Sequence, residues 1–376
     1  MTRASLRHLW VKAHRWTALT LGWLLALAAL LGALLTVAKP LDQWLNQHLF
    51  TQLPLPISQP RATLDSIHSH LRDEFGPAAT VTFRPPREVD DTLWVHVKSP
   101  EWEGKVFFDA LGHELGRRAD EEGFYSLLFE LHSTLLLGET GRGLLTLTSL
   151  AYAVLLSTGL VLWWPLRWPP SWAVRMNRGW WVMCFDLHRS LGAVLGILIA
   201  ISVLSGAYMA WPPLRGMVSS LFGESPVLPP TVPSRPDLLH RAPLDQLVTT
   251  ARAHFPDAMV GYVQVPGSLQ KPVRVRLKVA DDKHPNGLSS VWLHPLSGEV
   301  LASTRWDQLD VGSRYITLIY PLHTGALGGW PLISAVGLLG LALAGLGLTG
   351  LWLWGQRRWS TLQRKRANPA ARTGSR

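Results

Sequence analysis

Four of the 14 histidines recur at matched places along the chain. His14 and His188 each stand before an arginine, in "AHRWTALTLG" and "LHRSLGAVLG". Each is followed by glycine eight residues on (Gly22, Gly196) and by Gly-Ala at eighteen (Gly32, Gly206). His132 and His323 open the phrases "LHSTLLLG" and "LHTGALGG", and each is followed at twenty-six by Thr-Gly, at Thr158-Gly159 and Thr349-Gly350. A single histidine at a helix end is an ordinary polar group. Four at matched positions suggest two symmetry-related pairs, His14 with His188 and His132 with His323. Neutral imidazole is a common axial ligand of haem iron. Two imidazoles facing each other across a helix bundle can hold one iron porphyrin from both faces, and bundle cores are where such groups sit. The chemistry expected of these residues is therefore that of two non-covalent haem b groups, with the four histidines as iron ligands.

The remaining chemistry-bearing residues are weaker candidates. Arg15 and Arg189, beside the first pair, can meet haem propionates, since a guanidinium binds a carboxylate bidentately; the same arginines also serve as charges flanking a membrane span. Gly32 and Gly206 lie five helical turns beyond His14 and His188, hence on the same helix face, where small residues admit a flat ring or a close neighbouring helix. Asp186 and Glu130, each two residues before a histidine, project to other faces, and the two pairs sit far apart, so a divalent-metal site is the weaker reading. His48, His68, His70, His96, His113, His240, His254 and His284 lack metal-ligand spacing, His294 sits in a turn, and these nine read as surface or turn residues. His8 lies in the N-terminal stretch. The lone cysteine, Cys184, excludes an intramolecular disulfide and a CxxCH haem attachment. "GLGLTG" at Gly345–Gly350 matches a dinucleotide fingerprint, but it falls late in an apolar run with no strand before it, so it reads as helix packing. No catalytic side chain stands out.

These histidines must be positioned by membrane helices. The 376-residue chain is 47% hydrophobic with 19 tryptophans. Trp16–Ala38, Leu144–Trp164, Leu191–Trp211 and Pro331–Trp354 are each long enough to cross a bilayer, for which about 20 apolar residues suffice. Trp and Pro gather at their ends, as interfacial residues do. The first run exceeds the length of a signal-peptide core, about 7–15 residues, and no clean cleavage site follows it. The net charge of +10 is concentrated before the first span (Arg3, Arg7, Lys12, Arg15), between the second and third (Arg167, Arg175, Arg178, Arg189) and after the fourth (Arg357, Arg358, Arg364, Lys365, Arg366). With four crossings all three stretches share one side, which the positive-inside rule makes cytoplasmic. The charge is a topology signal and no nucleic-acid partner is expected. His132 lies 26 residues before Thr158, about 39 Å if helical throughout, which places the second pair near the outer interface and the first near the inner one.

The regions between spans also repeat. "TLDSIHSHLRDEF" reads as an amphipathic helix followed by strands in "LWVHVKS" and "KVFFDALGHELG". "PLDQLVTTARAHFPDA" is likewise followed by "PVRVRLKVA" and "SVWLHPLSGEVLAS", with alternating apolar positions and Gly-containing turns. The chain thus reads as a duplicated unit of helix, outer α+β module, helix.

The turn "HPLSGEVL" resembles the Asp-x-x-Thr-Gly-x-x-Leu signature of PepSY modules, with His294 in place of the acid. Together with the His-Arg and Leu-His helix starts, roughly 8–355 resembles the PepSY-associated transmembrane family of iron-regulated inner-membrane proteins, which includes the FoxB-like ferric-siderophore reductases. The resemblance implies a four-helix membrane bundle with two periplasmic PepSY-like modules. Its parts would be a cytoplasmic end and first helix (1–38), a first module (39–123), a second helix (124–164), a cytoplasmic loop (165–185), a third helix (186–211), a second module (212–314), a fourth helix (315–355) and a basic cytoplasmic tail (356–376). It implies a haem-dependent oxidoreductase of the bacterial inner membrane that takes electrons from a quinol or another cytoplasmic or membrane donor, since no nicotinamide or flavin site is visible. The electrons would cross the bilayer to reduce a periplasmic ferric siderophore and release Fe(II) for iron uptake. The alternative is a non-redox PepSY membrane protein that binds a peptide, protease or envelope partner, its histidines structural.

Overall fold

The computed structural model describes residues 3–54, 56, 59–164, 172–224, 227–238 and 240–367; Arg167 and the first part of the 165–185 loop lie outside them. In chain order the helices are α1 (Arg3–Thr17), α2 (Trp23–Leu45), α3 (Gln47–Phe50), α4 (Leu64–Phe75), α5 (Phe124–Thr134), α6 (Gly138–Trp163), α7 (Trp180–Ala210), α8 (Pro212–Phe222), α9 (Leu244–His254), α10 (Val311–Ile316), α11 (Ile319–His323) and α12 (Gly329–Ala367). The strands are β1 (Thr80–Arg84), β2 (Leu93–Lys98), β3 (Glu103–Phe108), β4 (Glu114–Ala119), β5 (Met259–Val265), β6 (Val273–Lys278), β7 (Ser289–Leu293) and β8 (Val300–Thr304). They form two compact units. A helical one comprises Met1–Thr36, Leu128–Gly216 and Leu322–Arg376, and a sheet-bearing one comprises Val37–Leu127 and Met217–Pro321.

Four helical stretches are long and apolar enough to cross a membrane: Ser5–Leu45, Gly138–Trp163, Trp180–Ala210 and Ala326–Gln363. In lipid every backbone N–H and C=O must be paired within the segment, which a continuous helix achieves. The first stretch carries one π-helical turn, Ala18–Gly22, between α1 and α2. The core of the helical unit takes one residue from each long helix, Leu25, Tyr152, Ile199 and Leu343, and the Tyr152 hydroxyl donates to the Gly196 carbonyl at 3.0 Å. Gly347 lies so close to α2 that a β-carbon on it would stand 2.5 Å from Ala26 Cβ. The "GLGLTG" segment thus lies inside α12, with one of its glycines at a helix contact.

The two histidine phrases do not run straight into the helices that follow, as the 39 Å reckoning assumed. After α5 the backbone turns left-handed at Leu135 (φ 53°), Leu136 (φ 60°) and Gly138 (φ 55°) before α6 begins. After α11 it does so at Gly325 (φ 77°) and Gly329 (φ 61°). The glycine six residues past each histidine, Gly138 and Gly329, occupies this region in both halves, where a β-carbon is unfavourable. Leu135 and Leu136 take it without that freedom, at about 1–2 kcal/mol per residue.

The sheet-bearing unit is built on one eight-stranded antiparallel sheet of order β4-β3-β2-β1-β5-β6-β7-β8. Two four-stranded meanders meet where β1 pairs with β5, Val81 opposite Val265 and Phe83 opposite Val263. Neither of these joining strands stood out in the sequence. Alternate residues such as Phe83, Val95, Val263 and Val275 are fully buried against Leu71 of α4 and Leu244, Leu247 and Ala251 of α9. The two helices cap each other. The Asp65 carboxylate accepts from the Leu244 and Asp245 N–H groups at 2.8 and 3.2 Å. The Asp245 carboxylate accepts from Leu64 and Asp65, both at 3.2 Å. Carboxylates suit helix N-termini because the first N–H groups lack partners there.

Candidate functional site

All four repeat-marked histidines belong to the helical unit, and the structure brings them together in the expected pairs. The His14 and His188 ring centroids lie 6.3 Å apart with the rings perpendicular. Those of His132 and His323 lie 6.2 Å apart, inclined at 34°.

The partners of each ring fix which nitrogen is free. His14 Nδ1 lies 2.9 Å from Thr158 Oγ1, and that hydroxyl already donates its one proton to the Val154 carbonyl at 2.6 Å. Nδ1 is therefore the donor. His188 repeats the arrangement with Thr349 Oγ1 at 3.1 Å, whose proton goes to the Gly345 carbonyl at 2.7 Å. His132 Nδ1 donates to the Ala28 carbonyl at 2.8 Å and His323 Nδ1 to the Ser202 carbonyl at 2.9 Å. Ala28 stands fourteen residues beyond His14, and Ser202 fourteen beyond His188. Ser205 Oγ lies 3.0 Å from His323 Nδ1 as well, its own proton given to the Ser202 carbonyl at 2.8 Å. All four imidazoles thus carry their proton on Nδ1 and leave the Nε2 lone pair for a metal. Engaging the second nitrogen in this way is how proteins orient a ligating imidazole.

A glycine lies against each ring. A β-carbon built on Gly32 would stand 2.9 Å from His132 Cε1, and one on Gly206 3.0 Å from His323 Cε1. On Gly159 and Gly350 it would stand 3.4 Å from Cε1 of His14 and His188. The sequence placed Gly32 and Gly206 on the face of His14 and His188; in the structure the imidazoles they seat belong to the other pair. The Thr-Gly pairs, marked only by their spacing from His132 and His323, seat His14 and His188. Each long helix therefore supports rings supplied by other segments.

The arrangement fits a bis-imidazole iron centre at both places. A metal–imidazole bond is about 2.0 Å. With a ring nitrogen about 1.1 Å from its centroid, two rings on opposite sides of one metal would have centroids about 6.2 Å apart. Packed aromatic rings alone range over about 4.5–7 Å, so the separation matters because it accompanies four free Nε2 atoms and four seating glycines. The donor set is nitrogen only. Asp186 is committed elsewhere, accepting from Arg175 Nε and Nη2 at 2.8 and 2.9 Å. Arg189 follows His188 on α7. Arg15 is exposed, its guanidinium 5.9 Å from the centre of the Trp16 ring.

The nine histidines read as surface or turn residues include two that are buried. His294, 1% exposed, accepts at Nδ1 from the Leu296 and Ser297 N–H groups, both at 3.1 Å, and donates from Nε2 to the Pro233 carbonyl at 2.9 Å. It does for its turn what Asp109 does for the corresponding turn, where one carboxylate oxygen accepts from Leu111 and His113 at 2.9 and 2.8 Å. His284 is also buried, and burial beside Arg276, Lys278 and Arg87 pulls its imidazole down to about 4. Folding also gathers His70 with Glu74 and Glu114, and His96 with Glu103 and Asp120, groupings that no linear spacing reveals. Their carboxylates are held by cations: Arg117 bonds both Glu74 and Glu114, Lys98 bonds Glu103 and Lys105 bonds Asp120.

The sheet face turned away from α4 and α9 is cationic and aromatic. Arg84 lies 5.7 Å from the Trp94 ring centre, Trp94 is 6.2 Å from Tyr262, and Arg274 lies 4.8 Å from Trp292. Burial, then the neighbouring Arg276, draws Arg274 down to about 10.

No curated protein matches the chain. The family described as PepSY-associated TM region matches residues 11–357. That range takes in all four histidines, the Thr-Gly and glycine seats and the whole sheet, and the chain is a membrane protein belonging to this family.

Proposed function

We propose that the protein is a di-haem b oxidoreductase of the bacterial inner membrane that reduces a ferric siderophore. The observation that carries this reading is the pair of histidine couples, each with Nδ1–H engaged, Nε2 free and centroids 6.3 and 6.2 Å apart. His14 and His188 would hold one haem, and His132 and His323 the other. Bound there, the haem supplies reversible one-electron exchange between ferric and ferrous iron. The chain's own part is to fix ring orientation through Thr158, Thr349, Ala28 and Ser202, and to keep the second nitrogen of each ring protonated. Arg15 and Arg189 supply positive charge beside the first pair, suited to propionates. On the positive-inside argument both termini are cytoplasmic. The first pair then faces the cytoplasmic side, the second the outer side, and the sheet-bearing unit is periplasmic. We further read the two matched halves as an internal duplication of helix, PepSY-like module, helix.

One electron delivered to a ferric chelate gives Fe(II), for which hard oxygen ligands made for Fe(III) have lower affinity, so iron is released and the ligand survives. The electron comes from a quinol or another cytoplasmic or membrane donor. The cationic and aromatic sheet face, with Arg84, Trp94, Tyr262 and Arg274, suits an anionic or aromatic chelate, and Tyr320 of the same unit precedes His323 by three residues in the chain.

The test is the visible spectrum and haemochrome content of the purified protein. About two low-spin b-type haems per chain are expected. His323→Ala should remove about half of them or turn one high-spin, and should abolish ferric-chelate reduction while the His14–His188 centre still reduces. A colourless protein, or a His323→Ala variant with two low-spin haems and native reduction, would overturn the reading, the former in favour of a non-redox partner-binding role.

A further inference from the structure

A small basic recess lies on the sheet-bearing unit, away from the face just described. It is lined by His68 and Arg72 of α4, Val81 of β1, Arg241 before α9, and Gly267 and Leu269 after β5. Three cationic or protonatable side chains line it and no carboxylate does. Arg241 is anchored by Nη2, which donates to the Pro266 carbonyl at 2.9 Å. Its Nε and Nη1 are sequestered without a partner in the protein. A buried donor left unpaired is unfavourable, and more so when the group is charged. Burial with Arg72 alongside draws Arg241 down to about 10. Burial with both arginines draws His68 to about 4. The fold does not require this arrangement. Counting from the paired Asp65 and Asp245, the residue of α9 that corresponds to His68 is Val248, and the one that corresponds to Arg72 is Arg252. Beyond Gly267 the recess adjoins a wider open groove with Thr80, Ser268 and Lys271 on its walls.

We propose that this recess binds an oxyanion, a single carboxylate or phosphate group, held by the Nε and Nη1 protons of Arg241 with Arg72 and His68 beside it. Charge-assisted bonds from a guanidinium to such a group are about twice as strong as neutral ones, and the anion relieves the repulsion between the Arg72 and Arg241 guanidinium groups. The recess admits one anionic group; the remainder of the ligand lies along the groove toward Lys271. The inference is independent of the redox reading.

The experiment is calorimetric titration of the intact detergent-solubilised protein with sodium phosphate and, separately, sodium citrate. Saturable binding of at least one is expected, weakened tenfold or more by Arg241→Gln and by Arg72→Gln. Arg252→Gln, the matched exposed position on α9, should leave it unchanged. Arg241→Gln also loses the bond to Pro266, so the exposed Arg72→Gln variant carries the test if the first does not fold. Binding of phosphate alone or of citrate alone supports the site and assigns its class. Absence of saturable binding with either probe, or equal loss in Arg252→Gln and Arg72→Gln, overturns it.

Discussion

Alanine at the four seating glycines should divide them into two classes. A β-carbon at Gly206 would stand 3.0 Å from His323 Cε1, and one at Gly32 2.9 Å from His132 Cε1. Ordinary carbon contacts lie at 3.4 Å or more, so each ring would have to retreat by about half an ångström. His323 resists, tied at Nδ1 to Ser202 and Ser205 at 2.9 and 3.0 Å. A half-ångström retreat is large beside a metal–imidazole bond of about 2.0 Å. Overpacking of this kind destabilises by about 1–3 kcal/mol, partly offset by the gain of about 1 kcal/mol from replacing a mid-helix glycine with alanine. At Gly159 and Gly350 the new carbon would meet Cε1 at 3.4 Å, an ordinary contact, so the helix gain should survive. Gly32→Ala and Gly206→Ala should therefore lower or barely change the melting temperature and disturb the His132–His323 centre, seen as high-spin character or loss of about half the haem. Gly159→Ala and Gly350→Ala should raise the melting temperature slightly and leave both centres low-spin. Melts in detergent, followed with haemochrome and reduced-minus-oxidised spectra, decide it. If all four variants behave alike, or the Gly159 and Gly350 variants are the more damaging, the glycines are not seats of the kind described.

Thr158→Val or Thr349→Val, nearly isosteric, should deprive His14 or His188 of its hydroxyl acceptor and leave the backbone carbonyl of Leu155 or Leu346, a loss of about 0.5–1.5 kcal/mol, and should shift the potential of that centre in a redox titration while the other stays put; two unmoved potentials would refute a role for the hydroxyl in setting the ring. Asp65→Ala and Asp245→Ala should each cost about 1 kcal/mol as lost helix caps. The double variant should lose more than the sum, because each single change also relieves repulsion between facing carboxylates; a smaller-than-additive loss in thermal melts would contradict the reciprocal caps. His68 and His284 are held neutral in the fold, near 4 against an ordinary 6.5. The unfolded chain therefore binds more protons between those values. Stability should be full above pH 6.5 and fall as the pH drops toward 4, and His68→Gln with His284→Gln should flatten that slope in melts across the window.

The histidine quartet was legible because repetition singled out four residues whose type alone said little. Gly32 and Gly206 were singled out by the same repetition, but the five-turn reckoning from His14 assumed an unbroken α-helix, and the π-helical turn at Ala18–Gly22 interrupts it. The ring each glycine meets was not legible, because periodicity describes one helix and is silent on which neighbour lies against it. The breaks after His132 and His323 were hidden for a different reason. Leu135 and Leu136 are apolar residues with good helix propensity, and only the surrounding structure holds them left-handed. β1 and β5 were not among the strands read from the sequence, although at five and seven residues they are as long as those that were and they join the two halves of the sheet. His294 looked like a defect in a turn signature until the structure showed its Nδ1 accepting the two N–H groups that a carboxylate would take.

The two halves of the chain agree and diverge in an instructive pattern. They agree in the parts that seat the imidazoles: the carbonyl at fourteen residues, the glycine at eighteen, the Thr-Gly at twenty-six. Each is fixed by the geometry of holding a ring at its Nδ1 and edge, and that demand is the same at both ends of the bundle. They diverge at the residue seventeen past the opening histidine, where Leu31 has no hydroxyl and Ser205 approaches His323. They diverge again where His68 corresponds to Val248 and Asp109 to His294. On the proposed redox reading, the donor and the acceptor set the direction of electron flow, and unequal surroundings of the two centres set their relative potentials. The Ser205 hydroxyl is a difference of that kind among the residues that touch the four rings. It gives His323 a second Nδ1 contact that His132 lacks, so the His132–His323 couple is chemically unequal within itself as well as distinct from the Thr-supported His14–His188 couple.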